Sequence, residues 1–507
     1  MRLKLVTLLA VAGLFAALSA NWGPEAAITS NRLENSTFGP AHKVVYGTDG
    51  VGHLVWTGGG NVGQPAVYYK RYYPKTGWTS DYKLASNGDS PSIVLDVNGK
   101  DIHVAWWGYK KVGSTNYHIL YQKCVPGKTG TGGWVGTPTD LCNNAAGHSY
   151  AGPCMAGGPG GQLVVTWVES WLSGADTVRT YGFREYAAGQ WRAQEMIEDP
   201  IPSYRWSPSI ATDVSGNVFV AYYGTRSLQP KDSIHVYVKR RIGGVWQAWE
   251  NVTSSAGFPD TFVMAHVEVD PVTSYPHVVC HSFHAEYPTP GQQDPDYSVF
   301  HTYRSASGWT IPAMIDTTEW DLAPSMVFAA NGTAHVIWQE PRGIGYSSRD
   351  PETGVWSTPS EIAHNGSVSY RGASLTMGPG GTLYGVWTHY DMSQGAQYPY
   401  QIWGASSSGS FGSQSAGAVE PVRGLTLDVS PNPASRGIVV GYALPAAGNV
   451  SLRFYDVGGK LVKTVDCGYL QAGNNAVRLS GLGLTRGAYI LKLESCESSQ
   501  TRKLVIE

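Results

Sequence analysis

The sequence predicts an all-β protein, in which a seven-bladed β-propeller closed by an N-terminal strand precedes a small β-sandwich. Three observations predict this fold class. Tryptophan recurs at gaps of 47 to 63 residues, and a valine-rich strand pattern recurs in phase with it. The composition, with 62 Gly, 30 Pro and 15% charged residues, is typical of a chain with many short strands and turns.

The recurring tryptophans mark one structural unit. Most of them begin a short segment such as WTSDYKLAS or WTIPAMIDT. A period of this size is typical of a ring or stack of one repeated supersecondary unit. The tryptophans are Trp22, Trp78, Trp134, Trp191, Trp246, Trp309 and Trp356.

A second repeat shows how many strands each unit has. Valine-rich stretches, most of which end in an aromatic residue, follow tight turns containing Asn-Gly, Ser-Gly or Gly-Gly, which favour β-hairpins. A third apolar run follows each stretch, so each unit is predicted to hold four antiparallel strands, and the seven stretches predict seven blades. They occupy residues 53–56, 103–106, 164–167, 219–222, 277–280, 335–338 and 384–387.

The seventh unit lacks its fourth strand. Its third strand ends near residue 405, where a Ser- and Gly-rich segment begins. The segment that starts at Trp22, WGPEAAITSN, is similar to WSTPSEIAHN of the sixth unit. We therefore expect the N-terminal segment to supply the missing strand, because this pairing closes the ring and removes exposed sheet edges.

The remaining segments complete the predicted domain organisation. Residues 1–20 combine Arg2 and Lys4, an apolar run and small residues, which is typical of a secretory signal peptide and too short for a membrane span. The propeller is predicted over 21–405, a flexible linker over 406–423 and the C-terminal domain over 424–507. No transmembrane segment is expected after removal of the signal peptide.

Export makes disulfides possible for the six cysteines. Cys467 and Cys496 are candidates for one pair in the C-terminal domain. Among the cysteines of residues 124–154, Cys142 with Cys154 is the favoured pair. The cysteine spacing does not match a zinc site, so no metal and no cofactor are predicted.

The C-terminal domain carries four blocks of a known family. These are SPNP beginning at Ser430, YDVGGKLV beginning at Tyr455, LTRGAY beginning at Leu484, and RKLVI beginning at Arg502. In this order and position they resemble the type IX secretion C-terminal sorting domain, which is related to immunoglobulin-like modules of the flagellar hook cap. The resemblance implies an immunoglobulin-like β-sandwich, recognition by an outer-membrane export machinery, and surface attachment or release.

Two turns resemble the Asp-box turns of the sialidase-like repeat superfamily. They are SRDPETGVW, which ends at Trp356, and SASGW, which ends at Trp309. The resemblance implies structural turns in which an aspartate caps its own loop. The Arg-Ile-Pro opening of true sialidases is absent, so sialidase activity is not predicted.

One face of the propeller carries the candidate binding residues. The connections from second to third strands and from one blade to the next share this face, and they are rich in aromatic, Arg and carboxylate side chains, which suit sugars and acidic groups. The repeated Ser-Tyr-Arg triplets are expected either to clamp an anionic substituent or to stack on neighbouring rings. The candidates are Trp171, Arg205, Trp206, Arg342, Tyr370, Arg371, His389 and Asp391.

Glu169 and Glu340 follow equivalent second strands and are the catalytic candidates, as an acid and a base for glycosidic cleavage. In contrast, His53, His103, His277 and His335 occupy one strand position in different blades. They are predicted to be scaffold residues distributed around the ring.

The sequence supports three functional classes, of which one is the leading prediction. A net charge of −2 argues against nucleic-acid binding. The leading prediction is a cell-surface or extracellular protein that binds a glycan or a surface protein on the loop-rich face. A carbohydrate-active enzyme, either a glycosidase or a polysaccharide lyase, and a structural surface protein are the alternatives.

Overall fold

The computed structural model shows an all-β protein. It describes residues 22–29, 34–35, 41–58, 65–96, 98–109, 116–125, 133–198, 201–202, 208–225, 234–253, 261–283, 297–316, 321–391, 400–408, 426–430, 432–434, 437–444, 448–470, 473–480, 483–495 and 498–506. Within them lie seven antiparallel sheets followed by two further sheets in the C-terminal domain. The predicted signal peptide and most of the linker lie outside the described residues.

Each of the first three sheets has an inner, a second and a third strand and one or more outer strands. Sheet 1 contains Glu34–Asn35, Val44–Tyr46, Gly52–Gly58, Ala66–Tyr73, Gly77–Trp78 and Tyr82–Ala85. Sheet 2 contains Asp89–Leu95, Ile102–Tyr109, Tyr117–Cys124 and Trp134–Asp140. Sheet 3 contains Ser149–Gly157, Leu163–Ser173, Asp176–Ala187, Gln190–Trp191, Glu195–Met196 and Ile201–Pro202.

The next four sheets repeat this order. Sheet 4 contains Ser209–Thr212, Val218–Gly224, His235–Ile242, Val245–Trp246 and Glu250–Asn251. Sheet 5 contains Thr261–Val269, Pro276–Phe283, Ser298–Ser305, Gly308–Trp309 and Ala313–Met314. Sheet 6 contains Leu322–Phe328, Ala334–Glu340, Gly343–Arg349 and Ser360–His364. Sheet 7 contains Val368–Met377, Leu383–Asp391, Tyr400–Ser406 and Ala26–Ala27. Short 3-10 turns connect the inner to the second strand in sheets 3 and 7, at Pro159–Gly161 and Pro379–Gly381.

The seven sheets form a closed ring through their inner strands. Each inner strand packs against the inner strand of the following sheet, and Val44–Tyr46 of sheet 1 packs against the inner strands of both sheet 2 and sheet 7. The cores between neighbouring sheets are apolar and deeply buried, and they include Trp56, Trp106, Trp167, Trp338 and Trp387 from the second strands. Burial of these large rings between consecutive sheets accounts for the aromatic ends of the repeated valine-rich stretches.

Hydrogen bonds at one repeated inner-strand position join every sheet to the next. The Ser92 hydroxyl accepts the Met155 N–H at 3.0 Å, and the Ser209 hydroxyl accepts the Val267 N–H at 3.1 Å. These bonds satisfy backbone groups that burial would otherwise leave unpaired. The residues at this position are Lys43, Ser92, Cys154, Ser209, His266, Ser325 and Ser374. Lys43 is the one that donates, from its Nζ to the Pro91 carbonyl at 2.6 Å.

The N-terminal segment supplies the outer strand of sheet 7. Ala26–Ala27 pairs antiparallel with the third strand, with Ala26 opposite Gly404 and Ala27 opposite Trp403. The Gly23 N–H also donates to the Ser406 carbonyl at 2.9 Å. This pairing is the one that the similarity between the two tryptophan segments predicts.

Two faces follow from the strand directions. The loop face holds the connections from second to third strands and from outer strands to the next inner strand, and the opposite face holds the turns between inner and second strands. On the second strands, the Nδ1 atoms of His53, His103 and His335 hydrogen-bond to third-strand tyrosine hydroxyls at 2.6 to 2.9 Å. His277 is bonded in the same way to His301, so these histidines are scaffold residues, as predicted.

The favoured disulfide between Cys142 and Cys154 is wrong, because both residues are thiols. Cys142 lies in the core between sheets 2 and 3, where its sulfur accepts the Ile119 N–H at 3.2 Å. Cys154 points into the core between sheets 3 and 4 and accepts the Ile210 N–H. The two sulfurs lie on opposite sides of the inner strand of sheet 3, which prevents a bridge.

The C-terminal domain has two antiparallel sheets around one core. A three-stranded sheet contains Thr426–Ser430, Gly437–Leu444 and Gly473–Ser480, and a four-stranded sheet contains Leu461–Leu470, Gly448–Asp456, Gly487–Ser495 and Ser498–Ile506. Leu427, Tyr442, Phe454 and Leu491 are buried between them. Cys467 is a thiol at the edge of this core, and Cys496, its predicted partner, lies outside the described residues.

Candidate functional site

The structure locates some of the predicted ligand-binding residues and leaves others undescribed. Arg205 and Trp206 lie outside the described residues, as does the side chain of Asp391. Arg342 is exposed in the turn that follows the second strand of sheet 6. The Arg371 guanidinium lies 4.8 Å from the centre of the Tyr390 ring, which is the stacked arrangement that the sequence left open as an alternative to an anion clamp.

Tyr370 and His389 do not form part of an open binding site. Their side chains are 0% and 6% exposed, and both bind the carboxylate of Glu25 in the N-terminal segment, at 2.9 Å each. Trp387 Nε1 donates to the same carboxylate at 3.1 Å. Burial would raise the pKa of Glu25, but the hydrogen bonds and the charge of His389 outweigh burial and lower it. These two predicted ligand residues instead hold the N-terminal strand in place.

A group of polar and aromatic side chains meets on the loop face of sheet 3. The Glu169 carboxylate is buried, and its two oxygens bind His148 Nδ1 at 2.6 Å and Gln194 Nε2 at 2.8 Å. The His148 ring stacks on Trp171, with ring centres 4.3 Å apart and planes inclined by 10°. Because Glu169 fixes Nδ1, the nitrogen that His148 offers to a ligand is Nε2.

Aromatic residues of sheet 2 extend this group. Half-buried Tyr117 contacts Trp107 and Tyr109, with ring centres 4.3 and 4.5 Å apart. His118 Nδ1 lies 3.1 Å from an Asp140 carboxylate oxygen. Trp107 packs on the core that contains Tyr150, whose ring is 6.5 Å from His148 and 6.1 Å from His118. We refer to the half-buried rings of this surface as the aromatic site, which consists of Trp107, Tyr109, Tyr117, His118, His148 and Trp171.

Glu340 belongs to a different cluster, on the loop side of sheets 5 and 6. One oxygen of Glu340 lies with oxygens of buried Asp316 and Asp321 in a group whose members are all within 4.8 Å of one another. Burial first, and then the charges of Glu361 and Asp316, raise the pKa of Glu340 to about 7. A Cβ on Gly345 would approach both Trp338 Nε1 and a Glu340 oxygen closely, so only glycine leaves room for this carboxylate beside the indole.

The structure does not bring Glu169 and Glu340, the predicted acid and base, into one group of side chains. The two residues occupy equivalent strand ends, but sheets 3 and 6 are not neighbours in the ring, and each carboxylate has its own set of partners. A glycosidase pair requires carboxyl groups about 5 to 10 Å apart on one sugar. Because Glu169 and Glu340 occupy equivalent positions of two repeats, they belong to different sheets.

Sequence reasoning missed His148 and Gln194, which give the aromatic site its polar centre. A signal for Gln194 is present in the repeat: it stands three residues after Trp191, and Glu25 stands three residues after Trp22. Each side chain binds the residue two positions after the second-strand tryptophan, Glu169 in sheet 3 and His389 in sheet 7. His148 lies in an irregular connection, where no repeat pattern identifies it.

One family model matches the C-terminal domain. Residues 428–507 match the secretion system C-terminal sorting domain, in agreement with the type IX resemblance of the four sequence blocks. This domain indicates export to the cell surface or the extracellular space and interaction with the secretion machinery. No curated protein matches the sequence. Among the described residues, no helix has the length and apolar character needed to cross a bilayer.

The chain is similar in fold to several solved structures of glycan-active enzymes. A polysaccharide lyase of family PL25, an ulvan lyase solved with -[GlcA(1-4)Rha3S]-, has 10% identity and a TM-score of 0.53 over 76% of this chain and 97% of that chain. The polysaccharide lyase Uly1 has 12% identity and a TM-score of 0.49 over 76% and 99%. An α-L-arabinanase of Penicillium chrysogenum complexed with arabinobiose has 12% identity and a TM-score of 0.42 over 75% and 99%. At 10% identity the likeness to the ulvan lyase is one of fold.

Proposed function

We propose that the protein is an exported, seven-bladed β-propeller that binds a glycan through the aromatic site on its loop face. The observation that carries this proposal is the stacked pair of Trp171 and His148, whose imidazole is oriented by buried Glu169. Stacked rings beside fixed polar groups suit a sugar, because its C–H face packs on a ring while its hydroxyls take hydrogen bonds.

The rest of the chain serves export in this proposal. Residues 1–20 act as a signal peptide, the segment 406–423 is a flexible connector, and the two-sheet C-terminal domain is an immunoglobulin-like module read by the export machinery. Exposed Arg342, in the loop-face turn after the second strand of sheet 6, favours glycans with acidic groups, because guanidinium binds carboxylates and sulfates in a fork geometry. The fold shared with an ulvan lyase agrees with a glycan ligand.

The first prediction concerns Trp171. Replacing it with Ala removes the ring that stacks on His148, and we expect affinity for the bound glycan to fall about tenfold, the upper part of the range for an aromatic contact. The measurement is a glycan array with neutral and uronate-containing polysaccharides, followed by calorimetric titration of the best binder with the full chain.

Trp249→Ala is the matched control. Trp249 is a 39% exposed tryptophan beside an outer strand of sheet 4, away from the aromatic site. We expect the control to bind like the unaltered protein. Absence of binding to every glycan, or an equal loss in the two variants, contradicts the proposed site.

Glu340 supports a second candidate function, hydrolysis or elimination of a glycan. A carboxyl group whose pKa lies near 7 can give or take a proton at neutral pH, as a general acid or base requires. Under this alternative, Glu340→Gln removes turnover of the bound polysaccharide by at least a hundredfold, while binding at the aromatic site persists. The assay follows new reducing ends and absorbance of unsaturated uronates. Turnover that survives in Glu340→Gln removes this alternative.

A further inference from the structure

An exposed apolar group lies at one end of the four-stranded sheet of the C-terminal domain. The exposed fractions are 83% for Val457, 46% for Leu461, 41% for Val462 and 41% for Ile490. Val457 lies in the turn at residues 457–460, and the other three lie on the strands beside it. Single exposed apolar residues are ordinary on a protein surface, but a contiguous group of them is typical of an interaction site.

The strand register places these side chains in one row. Tyr455 stands opposite Leu461 in one neighbouring strand and opposite Ile490 in the other. Ile490 in turn stands opposite Lys503 of the last strand. Side chains that stand opposite each other in an antiparallel pair lie on the same face, about 5 Å apart. Phe454, the residue before Tyr455, is buried in the core, so the row faces away from the core.

Basic side chains border this row. One step along the same face, Arg453 stands opposite Lys492, and both side chains are partly exposed, at 42% and 33%. A Glu494 carboxylate oxygen lies 3.1 Å from Arg453 Nη1, and the other lies 2.6 Å from Lys492 Nζ, so this carboxylate orients both cations. Lys503 adds a third positive charge at the end of the row. We refer to this surface as the outer sheet surface, which consists of Arg453, Tyr455, Val457, Leu461, Val462, Ile490, Lys492 and Lys503.

The charge of the domain agrees with this basic border. Residues 424–507 contain nine Lys and Arg residues and six Asp and Glu residues, a net charge of +3, whereas the whole chain has −2. The rest of the chain therefore has a net charge of −5, the difference between the two values. A positive domain on a negative chain is attracted toward an acidic partner, which favours approach by this domain.

The sequence blocks that resemble a sorting domain meet at the outer sheet surface. YDVGGKLV supplies Leu461, LTRGAY is followed directly by Ile490, and RKLVI supplies Lys503. The block SPNP is joined to the same end of the sheet through Asn432. Its Nδ2 donates to the Lys503 carbonyl at 2.7 Å, and its Oδ1 accepts the Val505 N–H at 2.9 Å.

We propose that the outer sheet surface is where the C-terminal domain docks on a protein of the secretion machinery, and that this protein offers an apolar patch bordered by acidic side chains. The family match indicates that the domain interacts with the machinery, and the surface has the apolar centre and charged border of a protein interface. This inference rests on the proposed role of the domain in export and does not depend on glycan binding.

Export of the full chain from a bacterium that has a type IX secretion machinery tests the proposal. Replacing Leu461 and Ile490 together with Ser removes the apolar centre. We expect the amount of protein on the cell surface and in the medium to fall about tenfold, the effect of losing a central interface contact. The matched control replaces Val245 and Val355 of the propeller, each 64% exposed, with Ser and is expected to be exported like the unaltered protein.

Removal of residues 424–507 separates this inference from the export role of the domain. Normal export of the shortened chain contradicts the export role itself. If export is lost in the shortened chain but persists in the double variant, the domain serves export and the proposed surface is wrong. Unchanged export together with lost binding of the purified double variant to anionic lipid vesicles assigns the surface to a membrane and also overturns the proposal.

A charge reversal tests the border independently of the apolar centre. Lys503→Glu changes an exposed side chain, and we expect export to fall about threefold, the contribution of one exposed ion pair. Lys100→Glu, at an exposed turn of sheet 2, is its control. Circular dichroism in urea checks that each purified variant unfolds at the same denaturant concentration as the unaltered chain. If the double variant does not fold, Lys503→Glu decides the question, and its unchanged export overturns the proposal.

Discussion

Replacing Glu25 with Ala is expected to lower the free energy of unfolding of the ring by about 3–5 kcal/mol, the loss typical of removing one partner from a buried charged network. The Glu25 carboxylate accepts hydrogen bonds from Tyr370, Trp387 and His389 across the face of sheet 7. The substitution leaves three donors without their acceptor in a largely buried part of sheet 7. The N-terminal strand also pairs with the third strand of sheet 7 through a short ladder.

Urea denaturation followed by tryptophan fluorescence measures this effect, since Trp22, Trp387 and Trp403 all belong to the affected core. Glu25→Gln is expected to fall between the unaltered protein and Glu25→Ala, because an amide keeps one acceptor oxygen and adds donors where donors already crowd. Glu352→Ala, at an exposed turn, is the matched control and is expected to change stability by less than about 0.5 kcal/mol. A Glu25→Ala protein as stable as this control contradicts the role assigned to the carboxylate.

Much of the ring was predictable because its information is local and repeated. The tryptophan segments and the valine-rich stretches lie within single units, so their phase shows which strands pair, including the pairing of the segment at Trp22 with the third strand of sheet 7. The Pro-Ser pairs at Ser92, Ser209 and Ser325 also have a physical reason, since each serine hydroxyl accepts a backbone N–H of the next sheet. The sequence of a single unit does not show this reason, because the N–H donor belongs to the next sheet.

The candidate site was less predictable because closure of the ring brings distant residues together. Tyr370 and His389 occupy strand ends on the loop face, where exposure is the usual expectation, but Glu25 covers them from more than 340 positions away along the chain. Cys142 and Cys154 are close in sequence, yet they belong to cores on opposite sides of one strand. The two cysteines are near in sequence but not in contact. Glu25 is far in sequence from Tyr370 and His389 but bonds to both.

The contacts of Glu268 with His42 at 3.4 Å and His266 at 3.6 Å show the same limit. His42 belongs to sheet 1 and the other two residues to sheet 5, so no spacing pattern joins them, and the sequence predicted neither a metal site nor a cofactor. His266 does stand at the repeated position that is serine in sheets 2, 4, 6 and 7. His266 therefore makes the same bond between sheets as the serines, through its Nδ1.

Mild acid is expected to unfold the ring, with stability falling from about pH 6.5 downward. Burial holds the pKa of eight histidines well below the ordinary value. The pKa is about 3 for His53, His277 and His281 and about 4 for His42, His103 and His335. It also lies well below the ordinary value for His266 and His301. In the unfolded chain these groups take up protons near pH 6.5, and in the folded chain they do not.

The sign of the effect follows from linkage. Below pH 6.5 the unfolded state binds more protons than the folded state, so each of these histidines lowers the free energy of unfolding by about 1.4 kcal/mol per pH unit, until its folded pKa is reached. Glu268 and Glu340, with pKa values raised to about 8 and 7, act in the opposite sense between pH 7 and about 4.5. The effect of the eight histidines on the free energy of unfolding outweighs that of the two glutamates. The loss from a few histidines together exceeds the roughly 5–15 kcal/mol that stabilises a folded domain.

Calorimetry of the full chain between pH 8 and 4 measures the effect as a falling Tm and as proton uptake on unfolding. His335→Gln is expected to reduce the uptake near pH 5 by about one proton, since His335 is buried and bonded to the Tyr346 hydroxyl at 2.9 Å. His364→Gln, at a side chain that is 58% exposed, is the control. This variant is expected to leave the proton uptake unchanged. A Tm that stays level or rises between pH 7 and 5 contradicts the prediction, because buried neutral imidazoles allow only a decline.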